Sequence, residues 1–277
     1  MKILITCADG PNYVKAQTLS TKIKSELAFL GVVAHLATDI DVPNWIPHLV
    51  IAVGGDGTIM RAMKKYSAYD IPTFGINGGD LGFLASAEAD TWLEALPRII
   101  ADDFDREERL GLQFVFDDQT IGPVVNEVYV HHPQFPVLYE ARINDQVFWA
   151  ALPARGLLLS TATGSNAQSF SNYGQPLFPT SNDVVLTPMN PQTANVRAFA
   201  FPEVSRGGTV AISLLPGKLG NEAVEVWADG RQYTSAGRPL RLHESILITK
   251  APTPLLLATF GLSHFFAALK SKKGYGP

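Results

Sequence analysis

The sequence is short of cysteine, of basic charge and of long apolar runs, and each shortage excludes a class of protein. Its 277 residues include one cysteine, Cys7, so a disulfide within the chain is impossible and a reducing compartment is indicated. The net charge of −4 does not favour nucleic acid as a partner. No run reaches the roughly 18 apolar residues of a membrane span, and the first run is too short for a signal peptide. We therefore expect a soluble, cytoplasmic protein with no nucleic-acid or membrane partner.

Two common nucleotide-binding signatures are also missing. The chain has no GxxxxGK[ST] sequence, which excludes a P-loop nucleotide hydrolase. It has no GxGxxG sequence, which excludes the dinucleotide fingerprint of dehydrogenases. The neighbours His131 and His132 would point to opposite faces of a strand and make a poor metal site. No residue is therefore predicted to be a protein ligand of a metal ion.

Residues 1–103 alternate strand and helix patterns. The apolar run at 49–53 has no polar alternation, which is typical of a parallel strand that is buried on both faces. A helix is predicted from Ile59 to Tyr66, directly before another apolar strand. This alternation predicts an α/β domain with a doubly wound sheet.

Short strand patterns replace the helices over residues 104–253. Asn144-Asp145 and Asp229-Gly230 each lie between two such runs, as expected for tight hairpin turns. The pattern predicts an all-β domain. Residues 254–277 contain one more apolar run and a short helical pattern, and we expect this tail to return to the first domain.

The GGDGT turn at residues 54–58 is the strongest functional signal in the residues themselves. Gly54 and Gly55 let backbone N–H groups approach an anion, and the next helix adds the positive end of its dipole. A carboxylate there repels phosphates unless it steers Mg²⁺ or accepts a proton, so Asp56 has two candidate roles. The alternative is a tight turn in which Asp56 caps the helix. Because the five residues follow a buried strand directly, we favour a phosphate site.

A second glycine-rich turn follows the next strand at residues 77–84. Parallel neighbouring strands end at the same edge of a sheet, so we expect both turns at the edge where open α/β sheets bind ligands. A loop whose glycines serve only for turning is the alternative for this segment taken alone.

Five blocks of the sequence, in the same order, resemble the NAD kinase family. They are GGDGT at 54–58, the NxGxLGFL pattern at 77–84, the Asn-Glu pair at 126–127, GLLLSTATGSNA at 156–167 and DVVLTPM at 183–189. GGDGT alone is shared with lipid kinases and phosphofructokinases, whereas the five blocks together are much more specific. The predicted α/β domain followed by a β-rich domain agrees with this family.

The resemblance implies a phosphoryl transfer from ATP or polyphosphate to the adenosine ribose 2′-hydroxyl of NAD, which makes NADP. Asp56 would take or orient the hydroxyl proton, while Gly54, Gly55 and Gly57 would cradle phosphates with Mg²⁺ offsetting the charge. Since the family forms dimers and tetramers, a homo-oligomer is expected. The other positions to which we assign substrate binding are Asn77, Asn126, Glu127, Arg155, Thr163, Asn166, Ala167, Gln168 and Ser171.

The fourth block departs from the family pattern in the loop that would bind NAD. Arg155 replaces an Asp, Ala162 a Pro, Asn166 a Thr, and Gln168 a Tyr whose aromatic face could stack on a ring of the dinucleotide. Arg155 is either a ligand for a phosphate or carboxylate or an ordinary surface arginine. Phosphoryl transfer is therefore better supported by the sequence than ordinary NAD recognition.

Two alternatives follow from these motifs. The first is a lipid or sphingoid kinase that shares GGDGT, against which the second and third blocks stand. The second is a dinucleotide-binding regulator with little catalysis, suggested by Arg155 and Gln168. The presence of Asp56 argues against a regulator, because a sensor does not need that carboxylate.

Overall fold

The computed structural model describes residues 1–8, 10–37, 45–78, 82–217, 223–233 and 240–273. The chain forms two compact units, of which the first contains residues 1–108 and 255–277 and the second contains residues 109–254. The division falls later than the boundary at 103 that we drew from the sequence, since the strand after it joins the first sheet.

The first unit is built around one sheet, and strands are numbered along the chain. It contains β1 (Lys2–Cys7), β2 (Val33–Leu36), β3 (Leu49–Val53), β4 (Thr73–Asn77), β5 (Ala87–Glu88), β6 (Asp105–Arg109) and β20 (Leu255–Thr259). Their order is β2-β1-β3-β4-β20-β6, with β5 paired to β4. The pairs β1–β2, β1–β3, β3–β4, β4–β5 and β4–β20 are parallel.

Helices cover both faces of the central strands. They are α1 (Val14–Phe29), α2 (Asp56–Tyr66), α3 (Trp92–Ile100) and α5 (Ser263–Lys273). Ile23 of α1 and Leu96 of α3 pack in one apolar cluster with alternate residues of β1 and β3, such as Ile5 and Ile51. Residues of the opposite face, such as Val50, are fully buried as well. The predicted α/β fold of the first domain is therefore confirmed.

The second unit contains two antiparallel sheets. One consists of β7 (Leu112–Phe116), β8 (Gln119–Val124), β10 (Val137–Ile143), β11 (Gln146–Ala154), β15 (Val210–Leu215) and β19 (Ser245–Lys250). The other consists of β9 (Glu127–His131), β12 (Gly156–Ser160), β13 (Val184–Met189), β14 (Phe199–Phe201), β16 (Ala223–Ala228), β17 (Arg231–Gln232) and β18 (Leu240–Arg241). A four-residue helix, α4 (Gln168–Ser171), follows β12.

The two sheets share one apolar core. Phe114 and Ile212 from one sheet belong to the same buried cluster as Val128 and Leu159 from the other. Side chains alternate along a strand, so Glu127 lies on the face of β9 that points away from this core. Both predicted hairpins form, with β10 paired to β11 and β16 paired to β17. The all-β character of this region is confirmed.

Within the described residues, no helix is long and apolar enough to cross a bilayer.

Candidate active site

The GGDGT turn joins the buried strand β3 to helix α2. Gly54 has a φ of 152°, and a Cβ placed on it would lie 2.7 Å from Thr58 Oγ1, so this position requires glycine. Helix α2 begins at Asp56, earlier than the predicted Ile59, because the turn residues already adopt the first helical turn. Gly55 and Gly57 are exposed, and a Cβ on either would meet open space. The fold itself therefore does not require glycine at these two positions.

Backbone groups of the second glycine-rich turn hold the Asp56 carboxylate. Phe83 N donates to Oδ1 and Oδ2 of Asp56 at 2.9 and 3.0 Å, and Leu84 N donates to Oδ1 at 3.0 Å. A Cβ on Gly82 would lie 2.6 Å from Asp56 Oδ1, so a side chain there would displace the carboxylate. A carboxylate has about four acceptor positions, so these bonds fix its orientation and leave capacity on Oδ2.

Asn77, the last residue of β4, lies directly beside the GGDGT turn. Gly54 N donates to the Ile76 carbonyl at 3.0 Å, and Gly78 N donates to the Gly54 carbonyl at 3.3 Å. Asn77 is fully buried, and its Nδ2 donates to Glu88 Oε2 at 2.8 Å. The first unit thus brings together Gly54, Gly55, Asp56, Gly57 and Asn77, as predicted for the shared edge of two parallel strands. Residues 79–81 of the second turn lie outside the described residues.

A cavity of about 440 Å³ opens beside α2 in the first unit. The ends of β1 and β2 line it, as do Gln17 from α1 and Thr58, Arg61 and Lys65 from α2. Arg61 donates to Thr58 Oγ1 at 3.2 Å, which keeps its guanidinium next to the glycine turn. The cavity therefore combines positive charge with the carboxyl ends of parallel strands.

In the second unit, hydrogen bonds hold the segment before β9 from both sides. The Asp229 carboxylate accepts from Val125 N at 2.9 Å and from Asn126 N at 2.7 Å. Thr161 Oγ1 donates to the Val125 carbonyl at 2.6 Å, and Thr161 N donates to the Asn126 carbonyl at 2.8 Å. A Cβ on Gly164 would overlap the backbone of Asn126, so the loop after β12 packs directly against this segment.

Glu127 is a buried acid on the outer face of β9. Its side chain is 4% exposed, and burial raises the pKa of its carboxyl to about 8, with the negative charge of Asp229 adding to the shift. Glu127 pairs with Ser160 across β9 and β12, and neither Glu127 Oε2 nor Ser160 Oγ has a hydrogen-bond partner within the described part of the chain. Buried polar atoms without partners and an acid with a raised pKa are typical of a ligand-binding position.

The loop after β12 carries most of the other predicted ligands. Thr163 and Asn166 are buried close to Asn126, whereas Ser171, at the end of α4, is exposed. Ala167 is half-buried, and so is Gln168, whose side chain hydrogen-bonds Tyr129. The second unit thus gathers Asn126, Glu127, Thr163 and Asn166, with Ala167 and Gln168 following along the chain.

Arg155 lies apart from this group. It precedes β12, whereas Thr161 follows that strand, so the two residues are six residue steps apart, roughly 20 Å. The Arg155 guanidinium donates to the Pro133 carbonyl. Its role as a substrate ligand stays a prediction.

Two further residues, which the sequence motifs do not indicate, contact the group formed by Asn126, Glu127, Thr163 and Asn166. We had interpreted Asp229 as part of a plain hairpin, but its carboxylate binds the segment before Glu127. Arg109 is buried and donates to Thr163 Oγ1 at 3.4 Å. An Asp at the start of a two-residue hairpin carries no local sign of a distant partner. Arg109 ends the charged strand β6, and nothing in the local sequence distinguishes it from its mostly exposed neighbours.

The described residues contain no group of three or more His, Cys, Asp or Glu side chains that could hold a metal ion. Magnesium in phosphoryl-transfer sites is commonly bound by one or two carboxylates together with substrate phosphates. The half-buried Asp56 carboxylate beside the exposed turn fits that mode of binding.

Comparisons with known proteins give the same family for both units. Residues 44–104 match the ATP-NAD kinase N-terminal domain, and residues 125–254 match the ATP-NAD kinase C-terminal domain. NAD kinase from Heliobacterium modesticaldum is 32% identical over 82% of this chain and 79% of its own length. NAD kinase from Cellvibrio japonicus is 30% identical over 96% of this chain and 87% of its own length.

Solved structures show the same fold at lower identity. Yeast NADH kinase complexed with NADH superposes with a TM-score of 0.81 at 16% identity, covering 99% of this chain and 88% of its own. An NAD kinase from Archaeoglobus fulgidus in complex with ATP gives a TM-score of 0.73 at 21% identity, covering 98% of both chains. The family models together cover more than half of the sequence, and relatives at 30% identity or above span most of it. The chain belongs to the NAD kinase family.

Proposed function

We propose that this protein transfers the terminal phosphoryl group of ATP to the adenosine ribose 2′-hydroxyl of NAD and so makes NADP. The observation that carries the proposal is the Asp56 carboxylate, which the Phe83 and Leu84 amides hold at the start of α2 beside an exposed glycine turn. The family to which the chain belongs supports the reaction. The relatives supply the two ligand classes, since one solved structure contains NADH and another contains ATP.

The chemistry assigns a defined step to Asp56. The 2′-oxygen forms a bond to the terminal phosphorus, the bond from that phosphorus to the bridging oxygen breaks, and ADP leaves. The hydroxyl proton passes to Asp56, whose Oδ2 retains acceptor capacity. Since backbone amides fix the carboxylate, it needs no reorientation during this step.

The glycine turn is suited to hold the phosphates. Gly55 and Gly57 leave open space where a Cβ would stand, and a phosphate close to the backbone explains why glycine occupies them. The N-terminus of α2 adds a positive potential at the same place. Magnesium held mainly by the phosphates, close to Asp56, would offset the remaining negative charge.

We assign the phosphate donor to the cavity beside α2. Its position at the carboxyl ends of parallel strands, with Arg61 and Lys65 in its lining, suits a polyanionic nucleotide. Its volume of about 440 Å³ lies within the usual range for small-molecule sites. Polyphosphate stays a second candidate donor.

We assign the acceptor to the polar cluster of the second unit. Glu127 and Asn126 offer hydrogen bonds to ribose hydroxyls, and the buried Thr163 and Asn166 provide further polar contacts. In the free protein the Glu127 carboxyl group, with a pKa of about 8, is largely protonated at neutral pH and can donate as well as accept.

The test is NADP formation from NAD, ATP and Mg²⁺ by the wild type and by Asp56→Asn. We expect NADP from the wild type and a loss of at least about 100-fold in kcat from the variant, the usual contribution of acid–base catalysis. Asp56→Asn has a similar shape, so thermal unfolding should show that it folds. Wild-type protein that binds NAD and makes no NADP with any donor would favour the regulator instead.

The lipid or sphingoid kinase alternative has no support from the comparisons, since the proteins reported above are NAD and NADH kinases. The homo-oligomer and the cytoplasmic location stay predictions. Analytical ultracentrifugation of the purified protein tests the first.

A further inference from the structure

A partly buried chain of polar side chains runs from the glycine turn to the C-terminal helix, and no role assigned above uses its far end. Asn77 Nδ2 donates to Glu88 Oε2 at 2.8 Å. The other oxygen of that carboxylate, Oε1, lies 3.4 Å from His264 Nε2. Three residues from β4, β5 and α5 therefore form one line that begins next to Gly54.

Among the described residues, the two atoms at the far end of this line have no other partner. Glu88 Oε1 and His264 Nε2 are both inaccessible to solvent, and neither has a hydrogen bond to any described residue. A buried polar atom without a partner is destabilising, so each of these atoms is stabilised chiefly by the other. Their separation of 3.4 Å is slightly longer than an ideal hydrogen bond and within the range of an ion pair.

The near end of the line is attached to the phosphate turn. The peptide groups on both sides of Asn77 hydrogen-bond to Gly54, through the Ile76 carbonyl and the Gly78 amide. A change in the position of Asn77 therefore moves the backbone of Gly54, whose conformation only glycine adopts without strain. The Glu88 carboxylate accepts a hydrogen bond from the Asn77 amide and so helps to hold it in place.

The same end of α5 also reaches the residues that hold Asp56. Phe265 follows His264, is buried, and packs edge-on against Phe83 with ring centroids 6.1 Å apart. Phe83 is the residue whose N–H donates to both Asp56 oxygens. Two neighbouring residues of α5 thus contact Glu88, which binds Asn77, and Phe83, which binds Asp56.

We infer that His264 is a positioning residue for the phosphoryl-transfer site, acting through Glu88 on Asn77 and so on the Gly54 turn. The inference rests on the proposed function for its effect on turnover. Loss of His264 should also weaken ATP binding, because the turn whose geometry His264 stabilises is the one that would hold the phosphates.

The experiment compares His264→Ala with His264→Gln, whose side-chain amide can place a donor near the position of Nε2. Binding of Mg·ATP is measured by titration calorimetry, and kcat and KM are measured for ATP and NAD. We expect His264→Ala to lower both ATP affinity and kcat by about tenfold, because Glu88 Oε1 then stays buried without its polar contact. His264→Gln should recover both to within about threefold, and KM for NAD should stay unchanged. Lys270→Ala, an exposed change on the same helix, serves as the control.

A double-mutant cycle tests the route through Glu88. In a Glu88→Ala background, His264→Ala should cause no further loss of ATP affinity, because the link to Asn77 is already broken. Equal ATP affinity and kcat in the wild type, His264→Ala and His264→Gln would overturn the inference. So would a lower Tm in His264→Ala with normal kcat and ATP affinity, since that pattern means a purely structural role. Wild-type protein that makes no NADP would count against the proposed function alone, and the ATP titrations would still decide the inference.

Discussion

The candidate ligand-binding sites of the two units are constructed in different ways. In the first unit the candidate phosphate site consists mainly of backbone, with one carboxylate held by the Phe83 and Leu84 amides. In the second unit the candidate acceptor site consists of buried and half-buried side chains from separate parts of the sequence, including Arg109, Glu127 and Asp229. The first arrangement depends on glycine conformation, and the second on a network of long-range hydrogen bonds.

Because of this difference, different kinds of substitution should damage the two sites. A backbone site fails when a side chain is added, because the chain has no room or cannot adopt the conformation. A side-chain network fails when one member is removed, because its partners remain buried without hydrogen bonds. Substitutions in the two units should therefore separate the two kinetic constants, KM for ATP and KM for NAD.

The largest effect is expected from Gly54→Ala. The added Cβ would lie 2.7 Å from Thr58 Oγ1 at a φ of 152°, so the turn must move and the free energy of unfolding should fall by roughly 1–3 kcal/mol. We expect kcat for NADP formation to fall at least about 100-fold. Gly57→Ala is the matched control, since its Cβ meets open space. It should keep the wild-type Tm and raise only KM for ATP. A wild-type Tm for Gly54→Ala would contradict this account of the turn.

Asp229→Asn should have the next largest effect, and in the second unit alone. The Asn side chain has one acceptor oxygen where Asp has two. It can therefore accept a hydrogen bond from Val125 N or from Asn126 N, but it does not replace both bonds. We expect KM for NAD to rise about tenfold, the equivalent of about 1.4 kcal/mol, with KM for ATP unchanged. Steady-state kinetics with each substrate varied measures both constants. An equal rise in KM for ATP would show that the two sites are not separable in this way.

A smaller, pH-dependent effect is expected from Glu127. Its pKa is about 8 in the folded protein against a usual value of 4.5, so the native state binds the proton more tightly than the unfolded state. This contribution to stability is complete below pH 4.5 and is lost as the pH rises through 8, with a slope of at most about 1.4 kcal/mol per pH unit. Urea unfolding from pH 5 to pH 9 should show a weaker decline for Glu127→Gln than for the wild type. Parallel curves would mean that Glu127 titrates normally.

The smallest effect is expected from Arg155→Ala. Its guanidinium contacts the Pro133 carbonyl at the end of β12 that lies away from Thr161 and Glu127. We expect KM for NAD to change by less than about threefold, in line with surface substitutions. A tenfold rise in KM for NAD would show that Arg155 is a direct ligand and that the reversed charge in the family pattern is functional.

The first unit was largely predictable because its signals are local in the sequence. The apolar run at 49–53 predicted a buried strand, and the five residues after it predicted a turn for phosphates, both from adjacent residues. Parallel pairing then placed Asn77 beside Gly54, which the hydrogen bonds of Gly78 and Ile76 confirm. The start of α2 was predicted three residues late, since Asp56, Gly57 and Thr58 gave no apolar periodicity.

The network of the second unit was not predictable from single positions. Asp229 and Val125 are separated by 104 residues, and nothing in the Asp-Gly hairpin signal indicates a partner so distant. The resemblance found Asn126 and Glu127 but not the reason for the burial of Glu127. Glu127 lies opposite Ser160 of β12 and next to Asn126, against which Gly164 packs, and this arrangement exists only in the assembled sheet.

The position of β20 has a consequence for the order in which the protein acquires its structure during synthesis. This strand pairs in parallel with β4 and lies between it and β6, yet the whole second unit is translated before it. Until residues 255–259 leave the ribosome, β4 lacks that neighbour. The N-terminal part of the chain must therefore wait, with this pairing position open, while the inserted β domain folds. Closing so long a loop is entropically costly and typically slow, so we expect the first sheet to be completed late in biogenesis.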